Sequence, residues 1–113
     1  MLLLHMDGTN GSTAFMDSGN NGKTVTAYGN AQVSTAQSKF GGASAYFDGN
    51  GDYLSTPDSD DFYLGNNDFT LEAWVYKNNT GSVNIVSQDQ DGGNTFWVWG
   101  MSYSNGMYFQ AYS

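Results

Sequence analysis

Hydrophobic and polar positions alternate in short runs along this chain, and no useful stretch repeats at helical spacing. The clearest run is Phe69-Thr70-Leu71-Glu72-Ala73-Trp74-Val75-Tyr76. It places Phe69, Leu71, Ala73 and Val75 on one face and Thr70, Glu72, Trp74 and Tyr76 on the other. Large side chains on both faces predict a long strand covered on both sides. Thr24-Val25-Thr26-Ala27-Tyr28 is alternating and β-branched, and predicts a second strand. The turn pair Gly29-Asn30 predicts that Ala31 to Ser34 folds back on it as a hairpin.

Leu2 to Met6 predicts a short buried strand. Ala43 to Phe47 and Tyr53 to Ser55 predict two more, joined by the turn Asp48-Gly49-Asn50-Gly51-Asp52. The acidic stretch Pro57 to Asn67 has room for one helical turn. Val83 to Ser87, Thr95 to Met101 and Met107 to Tyr112 predict a closing meander, with turns at Asp91-Gly92-Gly93-Asn94 and Ser104-Asn105-Gly106. Strand signals at a spacing of roughly 8–12 residues predict an all-β fold, an antiparallel β-sandwich or jelly roll. The length of 113 residues fits one domain over residues 1–113.

Composition narrows the function. Aromatic residues make up 16% of the chain, enough material for a core, while charged residues make up only 12%. The net charge is −8, and the cations are three Lys with no Arg. A nucleic acid backbone is bound through clustered cations, so nucleic acid is excluded as a partner. No apolar run is long enough to span a membrane. The absence of Cys rules out disulfides and thiolate metal sites.

Candidate chemistry is sparse. Glu72 is the single Glu and His5 the single His. A retaining glycosidase needs two carboxylates about 5 Å apart, and no second acid accompanies Glu72 on its strand. We expect no enzyme activity, and a structural role for His5. Asp48, Asn50 and Asp52 alternate oxygen ligands as a calcium loop does. The same residues also suit a tight turn in which Asp and Asn cap backbone N–H groups. Asp17, in Asp17-Ser18-Gly19-Asn20-Asn21-Gly22, carries the same pair of readings. Trp97, Trp99 and Tyr103, together with Trp74, Tyr76 and Tyr108 and with Asn94 nearby, offer ring faces and an amide for a sugar ligand. Aromatics of this kind equally form the packing between sheets.

These blocks resemble a known family. Leu2-Leu3-Leu4-His5 with Asp7-Gly8 and Gly11, then Ser38-Lys39-Phe40-Gly41-Gly42-Ala43-Ser44, Tyr46-Phe47-Asp48-Gly49, Gly51-Asp52-Tyr53-Leu54 and Asp68 to Tyr76 are similar to laminin G-like modules of the concanavalin A-like lectin/glucanase superfamily. The wording is of the kind seen in bacteriophage virion and bacterial surface proteins. The resemblance implies a two-sheet jelly roll, often with bound calcium, acting in adhesion or glycan recognition. It also implies a longer domain, so we expect a shortened or incomplete sandwich whose usual C-terminal part is missing. A homo-oligomer or larger assembly would complete it. The expected function is a non-catalytic adhesion or carbohydrate-binding module on a phage particle or cell surface. The alternative is a purely structural virion component, a capsid decoration or tail protein, working through subunit contacts. Partners would be glycans or other virion or surface subunits.

Overall fold

A computed structural model describes residues 1–90, 94–104 and 106–112, with the backbone only at 90, 94 and 95. The fold is nearly all β, in three antiparallel sheets. The chain divides into two compact units, Met1–Trp74 and Val75–Ser113.

The first unit holds β1 (Phe15–Met16), β2 (Thr24–Tyr28), β3 (Gln32–Ser34), β4 (Ser44–Tyr46) and β5 (Tyr53–Ser55). β2 lies between β1 and β5 in one sheet, and β3 pairs with β4 in another. The expected β2–β3 hairpin is therefore not formed. Gly29-Asn30 does turn the chain, but it carries it from one sheet to the other. The acidic turn at 48–52 makes the return crossing, from β4 to β5, instead of closing a hairpin.

Side chains from both sheets meet in one core. Phe15, Val33 and Ala43 are buried, and Val25, Ala27, Ala45, Leu54 and Met6 pack against them. Alternation explains which residues point inward: on β2 Val25 and Ala27 are half-buried while Thr24, Thr26 and Tyr28 are exposed. Outside the core, Tyr28 and Tyr53 stack across the β2–β5 pair at 4.6 Å between centroids.

Two other expectations need correction. Leu2 to Met6 makes only an isolated bridge, Leu4 to Asp17, and is not a ladder strand. Phe69–Tyr76, the strongest alternation in the chain, forms no strand among the described residues. Phe69, Trp74, Val75 and Tyr76 are all exposed. β-propensity records how well side chains fit a packed, pleated surface, and no neighbouring ladder supplies one here. The expected helical turn is present as a 3₁₀ turn over Asp60–Phe62, capped by Ser59.

The second unit is the expected meander: β6 (Val83–Gln90), β7 (Asn94–Met101) and β8 (Met107–Ala111). The predicted turn at 91–93 and residue 105 of the second turn lie outside the described residues. Among the described residues, no helix is long and apolar enough to cross a membrane.

Candidate functional site

Register in the second unit sorts its side chains onto two faces. Trp97 stands opposite Gln88 and Ala111, and Trp99 opposite Val86 and Phe109. These residues share the apolar face. Val98 stands opposite Ser87 and Gln110, and Gly100 opposite Asn84 and Tyr108. These residues share the other face, which is polar.

On the polar face, Asn84, Ser87, Asp89, Val98, Tyr108, Gln110 and Tyr112 line an open groove of ≈ 360 Å³. That volume falls within the usual range of ligand clefts, about 300–1,000 Å³. Val98 is the buried residue of this lining, and Gly100, also buried, shares its face of β7. Gly100 is required there. A Cβ would lie 2.6 Å from the Tyr108 hydroxyl and 2.5 Å from the Val83 carbonyl. The missing side chain lets the Tyr108 ring end reach across β7 to β6. Its hydroxyl donates to Asn84 Oδ1 at 2.7 Å, and Ser87 Oγ donates to Asp89 Oδ2 at 3.0 Å. Amides, hydroxyls, a carboxylate and two tyrosines thus converge on one concave surface.

The residues singled out from the sequence are placed differently. Trp97 is buried at 6% exposure. Its indole N–H donates to Gln88 Oε1 at 2.8 Å, and its ring stacks on Phe109 at 6.2 Å between centroids. Trp99 is half-buried on the same face, and Tyr103 is 77% exposed in the β7–β8 connection. The backbone of Asn94 pairs with Gln90 at the far end of the β6–β7 ladder; its side chain lies outside the described residues. Trp97 and Trp99 are therefore neighbours on one face, and neither lines the groove. Of the groove residues, Tyr108 alone stood among the aromatics singled out from the sequence; the rest of its signal, Gln110 and Tyr112 at alternate positions, acquires meaning only once β8 is set beside Asn84 and Ser87.

Asp48 and Asp52 bind the two crossings of the first unit together. Asp52 Oδ1 accepts from Asn30 N at 2.5 Å, and Oδ2 from Asp48 N at 2.8 Å. Asp48 Oδ1 accepts from Asn50 N at 2.7 Å, and Oδ2 from Asn30 Nδ2 at 3.2 Å. The bonds from Asn50 N, first, and the Asn30 amide hold the Asp48 carboxyl below its ordinary pKa. Gly29, at φ +67, approaches so closely that a Cβ would collide with Asp52 Oδ1.

Asp17 sits elsewhere in the unit. Its Oδ1 accepts from Leu3 N at 2.9 Å and Gly19 N at 2.7 Å, and its Oδ2 from Lys23 N at 2.8 Å. The Leu3 bond, followed by those from Lys23 and Gly19, lowers its pKa. Asp61 accepts from Lys23 Nζ at 2.5 Å and from the Met1 ammonium at 3.0 Å. The Lys23 bond, ahead of the Met1 one, pulls its pKa down to about 2.

Calcium takes several carboxylate and carbonyl oxygens at once. Among the described residues, no three acidic or histidine side chains gather as a ligand set. All four carboxylate oxygens of Asp48 and Asp52 are turned onto N–H donors. That donor arrangement fits a stapled turn better than an ion cage. Comparison of the chain with protein-family models, with curated proteins and with solved structures returns no match.

Proposed function

We propose that this chain is a non-catalytic carbohydrate-binding module working in adhesion on a phage particle or cell surface. In this reading its finer architecture is a laminin G-like jelly roll. The polar groove of β6–β8 is the observation that supports it. Sugar hydroxyls are bound by converging amides, hydroxyls and carboxylates, and the groove offers Asn84, Gln110, Ser87, Tyr108, Tyr112 and Asp89. An array of immobilised glycans probed with the protein tests the idea. Binding should appear to a defined subset and weaken at least tenfold in Gln110→Ala. A blank array would sink the reading.

One observation favours the structural alternative, in which subunit contacts are the function. Phe40 and Trp74 meet edge to face at 6.0 Å while remaining 68% and 72% exposed. Lys39 Nζ lies 4.5 Å from the Trp74 ring centroid. Exposed aromatic clusters of this kind mark contact surfaces. Solution mass measurement separates the two: an obligate oligomer that dissociates in Trp74→Ala would favour assembly.

For calcium at Asp48, Asn50, Asp52 and Asp17, the N–H-filled carboxylates favour a turn that stands without the ion. The expected melting temperature is therefore unchanged by chelator. A fall of several degrees on chelation, abolished in Asp52→Asn, would assign calcium to this loop.

A further inference from the structure

We infer that Asn50 is a modification site: the fold leaves Asn50-Gly51 open to spontaneous deamidation and holds the same dipeptide at Asn10 and Asn21 back. The inference stands independently of the groove. Three observations carry it.

The first is the chemistry of the pair. Asn-Gly occurs four times, at Asn10, Asn21, Asn50 and Asn105. In each, the glycine N can attack the asparagine Cγ, because no Cβ on the glycine obstructs the approach. The new N–Cγ bond closes a succinimide ring. The Cγ–Nδ2 bond breaks, and Nδ2 leaves as ammonia with the proton of the glycine amide. Water then adds to one of the two ring carbonyls. Cleavage of the N–Cγ bond gives aspartate. Cleavage at the main-chain carbonyl gives isoaspartate, in which the main chain runs through Cβ and Cγ. Water is the only co-reactant. Asn105 lies outside the described residues; the structure distinguishes the other three.

The second is the hydrogen bonding of the reacting groups. At Asn10 both are held. Asn10 Oδ1 accepts from Thr35 N at 3.0 Å, and Gly11 N donates to Val33 O at 2.8 Å. At Asn21 the side chain is held, since Nδ2 donates to Asp61 Oδ2 at 3.2 Å. The peptide after Gly22 is pinned as well, by Lys23 N donating to Asp17 Oδ2 at 2.8 Å. At Asn50 neither reacting group is held. The bond there is made by Asn50 N, which donates to Asp48 Oδ1 at 2.7 Å. Among the described residues, the Asn50 side-chain amide and the Gly51 N–H have no hydrogen-bond partner.

The third is room. Asn50 and Gly51 are exposed. A Cβ at Gly49 or Gly51 would meet nothing within 4 Å, so the ring has space to close. Gly22 has the same room, so the Asn21 pair is restrained by its bonds alone.

The consequence falls on the stapled turn. Isoaspartate puts one extra carbon into the main chain between Asp48 and Asp52 and adds a carboxylate beside theirs. The Asp52 bonds from Asp48 N and Asn30 N, at 2.8 and 2.5 Å, join the two crossings and would be displaced. Deamidation at Asn50 therefore loosens the first unit as the protein ages.

The test incubates the full chain at mildly alkaline pH, folded in buffer and unfolded in guanidinium chloride. Peptide mapping by mass spectrometry reads amide-to-acid conversion at each pair, and main-chain fragmentation tells isoaspartate from aspartate. In buffer Asn50 should convert at least tenfold faster than Asn10, which reacts only through local opening, with Asn21 between them. In guanidinium the three rates should fall within about threefold of one another. The melting temperature of the folded sample should drop in step with conversion at Asn50. Asn50→Gln, whose longer side chain closes a ring far more slowly, should keep its melting temperature through the same incubation.

The mapping needs only the parent chain, so it stands whether or not the variant folds. Equal conversion of the three pairs in buffer, or Asn10 or Asn21 leading, would overturn the site. The same ranking in guanidinium would show that sequence and not fold sets the rates, and would overturn it too. Conversion at Asn50 with an unmoved melting temperature, or an equal fall in Asn50→Gln, would overturn the loosening.

Discussion

Val33 is the residue on which the first unit should depend most, and Val33→Ala is the substitution that measures this. Its side chain is 0% exposed, the most enclosed in that core, between Phe15 and Ala43. The main chain would not be disturbed. Val33 N donates to Ser12 O and Val33 O accepts from Gly11 N, both at 2.8 Å, and alanine keeps both bonds. The change therefore isolates side-chain burial. Removing two fully buried carbons loses about 1.6 kcal/mol of transfer free energy. The unfilled void adds about 1 kcal/mol, because surrounding side chains collapse only partly. The expected loss is about 2.5 kcal/mol, a large share of the 5–15 kcal/mol typical of a domain. The urea midpoint should fall by about 1–2 M at ordinary slopes. Hydrogen exchange read peptide by peptide should quicken in β3 and β4 first. Met16→Ala, on an exposed position of β1, should stay within about 0.5 kcal/mol of the parent. A Val33→Ala loss no larger than that control would refute the claim that packing between the two sheets holds this unit together.

Acid should weaken the fold in a defined window. The folded pKa values of Asp17, Asp48 and Asp61 lie below the ordinary 3.8, so the stability they contribute is complete above about pH 4 and is lost as pH falls toward 2. Protonation also relieves repulsion in a chain of net charge −8, so the diagnostic is the melting-temperature difference between the parent and Asp61→Asn. That gap should close between pH 4 and 2, and a gap constant with pH would contradict the Lys23–Asp61 assignment. Gly100→Ala should abolish groove binding, since its Cβ displaces Tyr108 and presses on β6. Tyr108→Phe, which removes only the hydroxyl, should cost stability no more than about 1.5 kcal/mol and still weaken binding.

How much of this was legible in the chain depended on how local each feature is. The β6–β7–β8 meander was readable because consecutive strands pair through short turns, so alternation and turn residues suffice. The order of β2, β3, β4 and β5 was not. Gly29-Asn30 reads the same whether the chain folds back on itself or crosses to another sheet. The crossing is pinned by Asp52, which takes the Asn30 N–H from 22 residues away. Phe69–Tyr76 misled for a related reason. Its alternation describes the surface its side chains would fit, while a strand exists only when a neighbour completes its hydrogen bonds. Asp48-x-Asn50-x-Asp52 was readable as a pair of alternatives, and geometry favours the turn because the carboxylates face inward onto N–H groups.

The two faces of the β6–β8 sheet divide the work that the sequence assigns to its aromatic residues together. A buried indole needs its N–H satisfied. Gln88 does this for Trp97 from the neighbouring strand, and Phe109 covers the ring. Trp97 is thereby complete within the sheet, and has no donor left for a sugar. On the polar face the internal bonds, Tyr108 to Asn84 and Ser87 to Asp89, tie polar side chains of β6 and β8 to partners on β6. Both conditions follow from a single register, because shifting β8 by one residue against β7 would send Tyr108 and Gln110 to the apolar side. Gly100 guards that register. It is the position at which Tyr108 can cross β7, and any side chain there would force the tyrosine away. Register thus decides which side chains line the groove, and the missing side chain at Gly100 is what lets Tyr108 stand among them.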